Sequence, residues 1–475
     1  MLAAGEGLLL TTMASGEDWR RVHLIGIGGS GMSAIAAILV RMGCRVTGSD
    51  LRESETVRKL EGLGVTVYRG HRPENLGRPD VVVISSAVAD DNPELEAARE
   101  RGFPVLRRIE MLNLALRGKR MIAVSGSHGK TTTTSLVYRM LRQAGHDPTL
   151  VVGGVQPELG TGAELGGGQF AVVEADESDG SLLKLSPAVA LVTNVDDDHL
   201  NYYGSMDALT EAFRQFLERP GREGLAVLSA DDPRLAALRP GLGTPAATYA
   251  IRASADYTAC HISLEPRRAR FDVYREPRLM GRVELGIPGM HNVMNALGAI
   301  AAADRLGVPF DACREACQTF SGVERRYQIL GTAGGITVMD DYGHHPTEIE
   351  TTLATLAAEG YQHVLVVFQP HRYTRTARLH REFGPPFRHA SVVIVPPLFP
   401  ASEPPQAGVS SALIVAAIRE RAGREAVPVP DLDSALAVAV ERARPGDVVL
   451  TLGCGDVGEL APRILEAIRD EEGRE

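Results

Sequence analysis

The stretch "RMIAVSGSHGKTTTT" at residues 120–134 runs from an apolar segment through a glycine loop into a threonine-rich helix start. Its end matches the phosphate-loop pattern G-x-x-x-x-G-K-[ST] at Gly129, Lys130 and Thr131. Val124 stands where that pattern has its first glycine, and the nearest earlier glycine is Gly126, so this loop is tighter. A strand, a glycine loop and a helix in this order predict an α/β fold that binds phosphate at the helix N-terminus.

The same loop carries the side chains that a nucleotide with Mg²⁺ needs. Loop amides can surround phosphate oxygens, the Lys130 ammonium can reach the β and γ phosphates, and the Thr131 hydroxyl can bind Mg²⁺. The predicted phosphate-binding residues are Gly126, Ser127, His128, Gly129, Lys130, Thr131 and Thr132.

A second glycine run lies earlier, in "VHLIGIGGSGMSAIAAILVRMG" at residues 22–43. Gly26, Gly28 and Gly31 satisfy G-x-G-x-x-G between a predicted strand and a predicted helix, and Asp50 follows at about the expected distance of ~20 residues. The pattern requires only a diphosphate at a helix N-terminus. NAD, a UDP-sugar, or a tight turn without ligand are therefore all compatible with it.

Apolar strand-like runs alternate with helical periods along all 475 residues, which predicts parallel α/β layers. We expect a first domain at 1–117 that includes a loose tail at 1–19, a second at 118–322, and a third at 323–475. Residues 248–286 alternate in short segments and predict a small antiparallel sheet within the second domain.

Charge and cysteine usage limit the partners. A net charge of −10 argues against nonspecific binding to nucleic acids or anionic membranes. The five cysteines are scattered without a CxxC pair, which suits a reducing cytoplasm. No segment reaches transmembrane length, so we expect a cytoplasmic protein.

Acidic residues follow two predicted strands of the second domain. "VVEADESDGS" (172–181) carries Glu174, Asp176, Glu177 and Asp179, and "VTNVDDDHL" (192–200) carries three aspartates and His199. The carboxyl ends of parallel strands are where α/β proteins bind ligands, and Mg²⁺ prefers carboxylate oxygens. One such cluster could be solvated loop decoration, but two beside a phosphate loop favour a metal site.

Three further segments gather polar side chains. In "GMHNVMNALGA" (289–299), Asn292 and Asn295 share a helix face, which suits either an adenine edge or helix capping. "MDDYGHHPTEI" (339–349) and "FQPHRYTRT" (368–376) follow strands and combine aromatic rings with arginines. Forked guanidinium groups suit recognition of a carboxylate.

Taken with "RRYQILG" (325–331), these motifs are similar to those of the Mur ligases of peptidoglycan synthesis, in family order over about residues 20–460. The glycine run at 26–31 and "FQPHRYTRT" resemble the members that add L-alanine. The resemblance implies a UDP-binding N-terminal domain, a central ATPase domain and a Rossmann-like C-terminal domain. It further implies that ATP and Mg²⁺ activate the carboxylate of UDP-N-acetylmuramate as an acyl phosphate, which the amine of L-alanine attacks. A monomer or a homodimer is expected.

The resemblance also assigns roles by position. The UDP-sugar would contact Gly28, Gly29, Ser30, Gly31, Met32, Asp50 and Ser86. ATP would contact, besides the phosphate loop, Asn292, Asn295, Arg325 and Asp341. Catalysis would rest on Lys130, His199 and Glu174, and the metal on Thr131, Glu174 and His199. The muramate and alanine would be held by Tyr342, His344, Arg372 and Arg375.

Three alternative functions are compatible with some of these motifs. A related ligase attaches a preformed peptide to UDP-N-acetylmuramate in cell-wall recycling, and "FQPHRYTRT" argues against it. An NAD-dependent oxidoreductase would rest on the first glycine run and Asp50 alone, leaving the second loop unused. A nucleotide-binding regulator without catalysis would make the acidic clusters decorative.

Overall fold

The structure, a computed structural model, describes residues 19–85, 87–361, 363–401 and 403–472. Nearly all of the predicted N-terminal tail, and Ser86 with its predicted UDP-sugar contact, lie outside them. Contacts divide the chain into two units. The first contains the residues up to His261, Phe271–Val283 and Met294–Thr319, and the second contains Ile262–Arg270, Glu284–Val293 and the chain from Phe320 onward. The domain boundaries given above stay predictions.

A five-stranded parallel sheet opens the first unit, in the order β3-β2-β1-β4-β5. Its central strands are continuous apolar runs because helices cover both faces. The sequence predicted the first four strands correctly but missed β5, which has three residues. The strands are β1 Arg21–Ile25, β2 Arg45–Asp50, β3 Thr66–Arg69, β4 Val81–Ile84 and β5 Val105–Arg107. The helices are Ser30–Arg41, Glu55–Gly62, Pro93–Glu100 and Arg108–Ala115.

A ten-stranded sheet follows, in the order β15-β14-β13-β12-β11-β10-β6-β9-β7-β8. β6 pairs with β10 on one side and with β9 on the other. The order of strands therefore reverses at β6, and α/β folds bind ligands at such a topological switch point. Its first strands are β6 Arg120–Ser125, β7 Thr149–Gln156, β8 Thr161–Glu164, β9 Phe170–Glu174, β10 Val189–Val192, β11 Leu225–Ser229 and β12 Ala246–Ala250. The helices are Lys130–Gln143, Leu200–Tyr203, Met206–Glu218, Pro233–Leu238, Met290–Arg305 and Phe310–Gln318.

The segment predicted as a small antiparallel sheet forms β13 (Tyr257–Glu265), β14 (Arg268–Arg275) and β15 (Arg278–Leu285). Two-residue turns join these strands, as hairpins require. They extend the ten-stranded sheet beyond β12 instead of forming a sheet of their own, because β13 pairs with β12 in parallel.

The second unit contains a six-stranded sheet in the order β16-β17-β21-β18-β19-β20, in which β16 is antiparallel to β17. The loops after β17 and β18, which carry the two polar motifs, flank the loop after β21 at one edge. The strands are β16 Gln328–Ala333, β17 Ile336–Asp341, β18 Val364–Phe368, β19 Val392–Val395, β20 Glu425–Pro428 and β21 Val448–Leu452. The helices are Pro346–Ala358, Tyr373–Leu379, Ser411–Ala417, Leu432–Arg442 and Leu460–Glu472.

These three sheets confirm the predicted fold class. Among the described residues, we find no helix with the length and apolar character that a membrane crossing needs.

Candidate functional site

The first glycine loop is held by the end of β2. The amides of Gly26 and Ile27 donate to the carbonyl oxygen of Ser49 at 2.9 and 3.0 Å. The Gly28 amide donates to Oδ2 of Asp50 at 2.8 Å. A Cβ on Gly28 would lie 2.9 Å from that oxygen, so this close approach requires glycine. The Asp50 side chain therefore holds the loop by a hydrogen bond to the loop's main chain.

The helix Ser30–Arg41 begins at this loop. Gly29 caps the helix in extended conformation, and lacking a side chain it leaves the first-turn amides open to an anion. Among the described residues, a Cβ on Gly29 would meet Gly26 O at 3.6 Å, an ordinary contact. The Met32 side chain is buried in the core, so its predicted ligand contact is limited to its main chain.

Arg108 is a residue that the sequence reasoning missed. It lies over Gly31, where an added Cβ would come within 2.6 Å of its Nη1. Its Nη2 donates to Ser181 Oγ at 3.5 Å, in the acidic loop that follows β9. Arg108 thus brings a cation to the end of the first glycine loop, where the helix Ser30–Arg41 begins. Nothing in the local sequence distinguishes it from its neighbour Arg107.

The second glycine loop follows β6 and needs its glycines for conformation and space. Gly126 and Gly129 have positive φ angles of 127° and 81°. A Cβ on Gly126 would lie 2.1 Å from Thr193 Oγ1, and one on Gly129 would lie 2.3 Å from Asn295 Oδ1. The structure therefore brings Asn295 to the phosphate loop, as its predicted role requires.

The loop after β10 fixes Ser127 and His128. Ser127 Oγ accepts from the Asp196 amide at 2.8 Å, and the His128 amide donates to Asn194 Oδ1 at 2.9 Å. The His128 ring meets Asp196 Oδ2 at 2.8 Å. Asp196 belongs to the acidic segment predicted to favour a metal site, whereas Asn194, at the same strand end, was not predicted as a site residue. They set the shape of the phosphate loop.

Lys130 is surrounded by oxygen atoms. Its Nζ donates to Gly126 O at 2.7 Å, to Ser127 O at 3.1 Å and to Glu177 Oε1 at 2.9 Å. Burial by itself lowers the pKa of Lys130, but the carboxylates of Glu177, Asp176 and Glu174 outweigh it and raise that pKa. Lys130 therefore stays charged and ready for phosphate.

Glu174 lies between the phosphate loop and β7. Its Oε1 accepts from Thr131 Oγ1 at 3.1 Å, and its Oε2 accepts from the Gly153 amide at 2.8 Å. Two of the three predicted metal ligands, Thr131 and Glu174, are thus in direct contact.

The third predicted metal ligand, His199, lies with Asp176 and Glu177, two carboxylates of the predicted acidic clusters that were not assigned as individual metal ligands. Ligand atoms of Asp176, Glu177 and His199 lie within 4.8 Å of one another. His199 Nε2 is 3.8 Å from Glu177 Oε1 and 3.5 Å from Asp198 Oδ2. Burial raises the pKa of Glu177 to about 7, although Lys130 acts in the opposite direction.

This arrangement fits a hard divalent cation. Glu177 Oε2 is buried and has no hydrogen-bond partner among the described residues, so it is free to accept a ligand. Carboxylate oxygens with the Thr131 hydroxyl are the donors that Mg²⁺ prefers. Asp176 and Glu177 were visible in the motif "EADESD", but local sequence could not rank them against Glu174.

In the second unit, four aromatic and cationic side chains form the amino-acid cluster, which we define as Tyr342, His344, His371 and Arg375. Tyr342 and His344 rings meet edge to face at 5.6 Å, and His344 and His371 rings at 5.7 Å. Arg375 is buried, and its Nη1 lies 3.1 Å from His371 Nδ1. The structure therefore brings together three of the four residues predicted to bind muramate and alanine.

Arg372, the fourth, begins the helix Tyr373–Leu379 with a positive φ of 69°. Its amide donates to Phe399 O at 2.8 Å. Its Nε is buried without a hydrogen-bond partner among the described residues. A buried guanidinium N–H without a partner is available to a ligand oxygen.

Arg325 and Asp341, predicted to contact ATP, organise the same edge of the third sheet. Arg325 Nε donates to Asp340 Oδ2 at 2.9 Å, and its guanidinium lies 5.2 Å from the Tyr342 ring centre. Asp341 accepts from the amides of Tyr327 and Gly343, and burial raises its pKa to about 6. In the same unit, the Asn292 amide group donates to Pro288 O at 2.7 Å. The nucleotide roles of these three residues stay predictions.

Three family profiles match successive parts of the chain. "Mur ligase family, catalytic domain" matches residues 21–120, "Mur ligase middle domain" matches 124–303, and "Mur ligase, glutamate ligase domain" matches 325–455.

Curated relatives and solved structures agree with these profiles. The UDP-N-acetylmuramate–L-alanine ligase of Pelotomaculum thermopropionicum is 45% identical over 95% of this chain and 98% of its own. The enzyme of that name from Sorangium cellulosum is 48% identical over 92% and 94%. A crystal structure of UDP-N-acetylmuramate-alanine ligase from Thermotoga maritima is 31% identical, with a TM-score of 0.82 over 95% of this chain and 99% of that one. A murein peptide ligase from Psychrobacter arcticus shares the fold, with a TM-score of 0.72 at 24% identity over 94% and 98%.

Proposed function

The chain belongs to the Mur ligase family, and from this we propose that it joins L-alanine to the carboxylate of UDP-N-acetylmuramate with the use of ATP. The observation that carries the proposal is the 45–48% identity, over more than nine-tenths of the chain, to ligases of that name. Both predicted anion-binding loops lie in the first unit.

The reaction has two steps. A carboxylate oxygen of the muramate attacks the γ-phosphorus of ATP, the bond to the bridging oxygen breaks, and ADP leaves. The neutral alanine nitrogen then attacks the acyl carbon, the bond to the phosphate oxygen breaks, and inorganic phosphate leaves with the amide formed. Such transfers depend mainly on positioning and on stabilising charge.

In the first step, Lys130 donates to the phosphoryl group that moves, with loop amides around the other phosphates. Thr131 and Glu174, with Asp176, Glu177 and His199, would hold Mg²⁺, which would neutralise charge on the phosphates. In the N-terminal sheet, the amides after Gly29 and the Arg108 guanidinium receive the UDP diphosphate.

In the second step, Arg372 and Arg375 anchor the alanine carboxylate, with Tyr342 and His344 beside them. A forked guanidinium holds a carboxylate by two parallel hydrogen bonds and so keeps the amine directed at the acyl carbon. ATP and UDP-sugars belong to the cytoplasm, so we place the reaction there.

Phosphate release from Mg·ATP tests the proposal, with UDP-N-acetylmuramate supplied together with single amino acids or with a preformed peptide. We expect release that depends on L-alanine, with glycine and L-serine as poor but detectable substrates because the small methyl side chain offers little binding energy for discrimination. Release with the peptide alone would favour the recycling ligase. Tight NAD binding without release would favour an oxidoreductase.

A further inference from the structure

Beneath the first glycine loop lies a buried carboxylate that the proposed reaction does not use. Glu94, in the first turn of the helix Pro93–Glu100, is fully buried. Its two oxygens accept from Ser49 Oγ, from Asn75 Nδ2 and, at 3.2 Å, from the Arg72 amide. His23, also fully buried, brings Nε2 to 3.6 Å from Glu94 Oε2.

Ser49 connects this carboxylate to the loop. Its hydroxyl donates to Glu94, while its carbonyl oxygen accepts the amides of Gly26 and Ile27. The next residue, Asp50, accepts the amide of Gly28. Every amide from Gly26 to Gly28 is therefore held by two adjacent residues, one of which is hydrogen-bonded to Glu94.

The same hydroxyl fixes a histidine at the edge of the loop. Ser49 has one hydroxyl proton and gives it to Glu94, so it accepts from His71 Nδ1 at 2.9 Å. Asn75 holds the turn before it, since its amide also donates to Gly70 O at 3.0 Å.

We propose that Glu94 is a positioning residue for the UDP-sugar. Through Ser49 it holds the main chain of the first glycine loop in the form that receives the nucleotide. This inference rests on the proposed function of that loop.

A matched control lies at the opposite edge of the same sheet. Asp80 accepts from the amides of Arg20 and Arg21, both at 2.8 Å, and forms an ion pair with the Arg21 side chain. It stabilises the start of β1 as Glu94 stabilises the end of β2, but it has no connection to the loop. Asp80→Asn therefore measures what a structural carboxylate alone contributes.

The test is calorimetry of UDP-N-acetylmuramate and of ATP with the wild type, Glu94→Gln, Ser49→Ala, the double variant and Asp80→Asn. Losing a hydrogen bond to a charged group predicts about tenfold weaker UDP-sugar binding in each single variant, with ATP binding unchanged. The double variant should bind no more than about twofold more weakly than either, because both changes break one connection. Asp80→Asn should lower the Tm and leave both Kd values unchanged.

The outcomes distinguish a failure of the proposed function from a failure of the positioning role of Glu94. A wild type that does not bind UDP-N-acetylmuramate overturns the proposed function. A wild type that binds it, with unchanged Kd in Glu94→Gln and Ser49→Ala, overturns the positioning role. Equal weakening of ATP binding would also overturn it, since the effect would then be general. Ser49→Ala removes one oxygen only and keeps the test usable should Glu94→Gln not fold.

Discussion

The two glycine loops of the first unit share one local design and differ in what surrounds them. Each follows a central strand, β1 or β6, and each starts a helix, at Ser30 or at Lys130. The first is held by Ser49 and Asp50 through its main-chain amides, with Arg108 over Gly31.

The second loop is surrounded by several charged side chains. Lys130 meets Glu177 directly, and Asp176 and Glu174 are close enough to raise its pKa. The difference shows that a strand–glycine–helix motif specifies an anion site only. The neighbouring strand ends decide whether the anion is merely held or reacts.

The largest effect that tests this difference is expected for Lys130→Ala. Ligation should fall about 10³-fold, since the lost charge acts on the phosphoryl group that moves. Calorimetry should show an unchanged Kd for UDP-N-acetylmuramate, because that ligand belongs to the first loop.

Lys119→Ala is the matched control. Lys119 also donates to two carbonyl oxygens, those of Gly166 and Gly168, at 2.8 and 2.6 Å. Normal turnover is expected from it. Normal turnover by Lys130→Ala would remove the chemical distinction between the two loops.

The next largest effect concerns space at the first loop. Gly31→Val would drive its side chain into Arg108, so UDP-N-acetylmuramate binding should weaken about 100-fold. Gly29→Ala, with room for a Cβ, should change the Kd less than about threefold. Equal effects of both changes in calorimetry would mean that Arg108 does not shape the site.

A third ligand site should be independent of both loops. Arg375→Lys keeps the charge but loses the fork, which predicts a KM for L-alanine raised about 30-fold with the KM for ATP unchanged. Arg378→Lys, an exposed arginine on the same helix, is the control. An unchanged alanine KM in both Arg375→Lys and Arg372→Lys would place the amino acid elsewhere.

The last prediction concerns stability in acid and compares a carboxylate beside the first loop with one beside the second. Burial alone would raise the pKa of Glu94, but contacts with His23, Ser49 and Asn75 lower it to about 2, from 4.5. Because the folded pKa is the lower one, the stabilisation is complete above pH 4.5 and is lost as the pH falls toward 2. The shift corresponds to about 3 kcal/mol.

Thermal unfolding between pH 5 and pH 2.5 checks this linkage. Glu94→Gln should flatten the fall of Tm with acid. Glu177→Gln should not, because the pKa of Glu177 is raised to about 7 and its carboxyl is already protonated in that range. A fall of Tm in Glu94→Gln as steep as in the wild type would contradict the assignment.

Sequence reasoning succeeded where structure is local. Apolar runs predicted β1 to β4, and "MDALTEAFRQFLE" predicted the helix Met206–Glu218 to its exact ends. It failed at β5, which is too short to show a pattern, and it did not predict that the antiparallel strands β13 to β15 continue the larger sheet. β13 pairs with β12 at the edge of that sheet, and the sequence of β12 does not show which strand will pair with it.

The sequence by itself predicted two anion-binding loops, because positive φ angles, helix starts and strand apolarity are set by neighbouring residues. Tertiary structure decided which distant side chains complete each loop. Glu94 meets Ser49 across 45 residues, Glu177 meets Lys130 across 47, and Ser181 meets Arg108 across 73. Parallel strands bring their carboxyl ends to one edge whatever the length of chain between them, so no local pattern could select these partners.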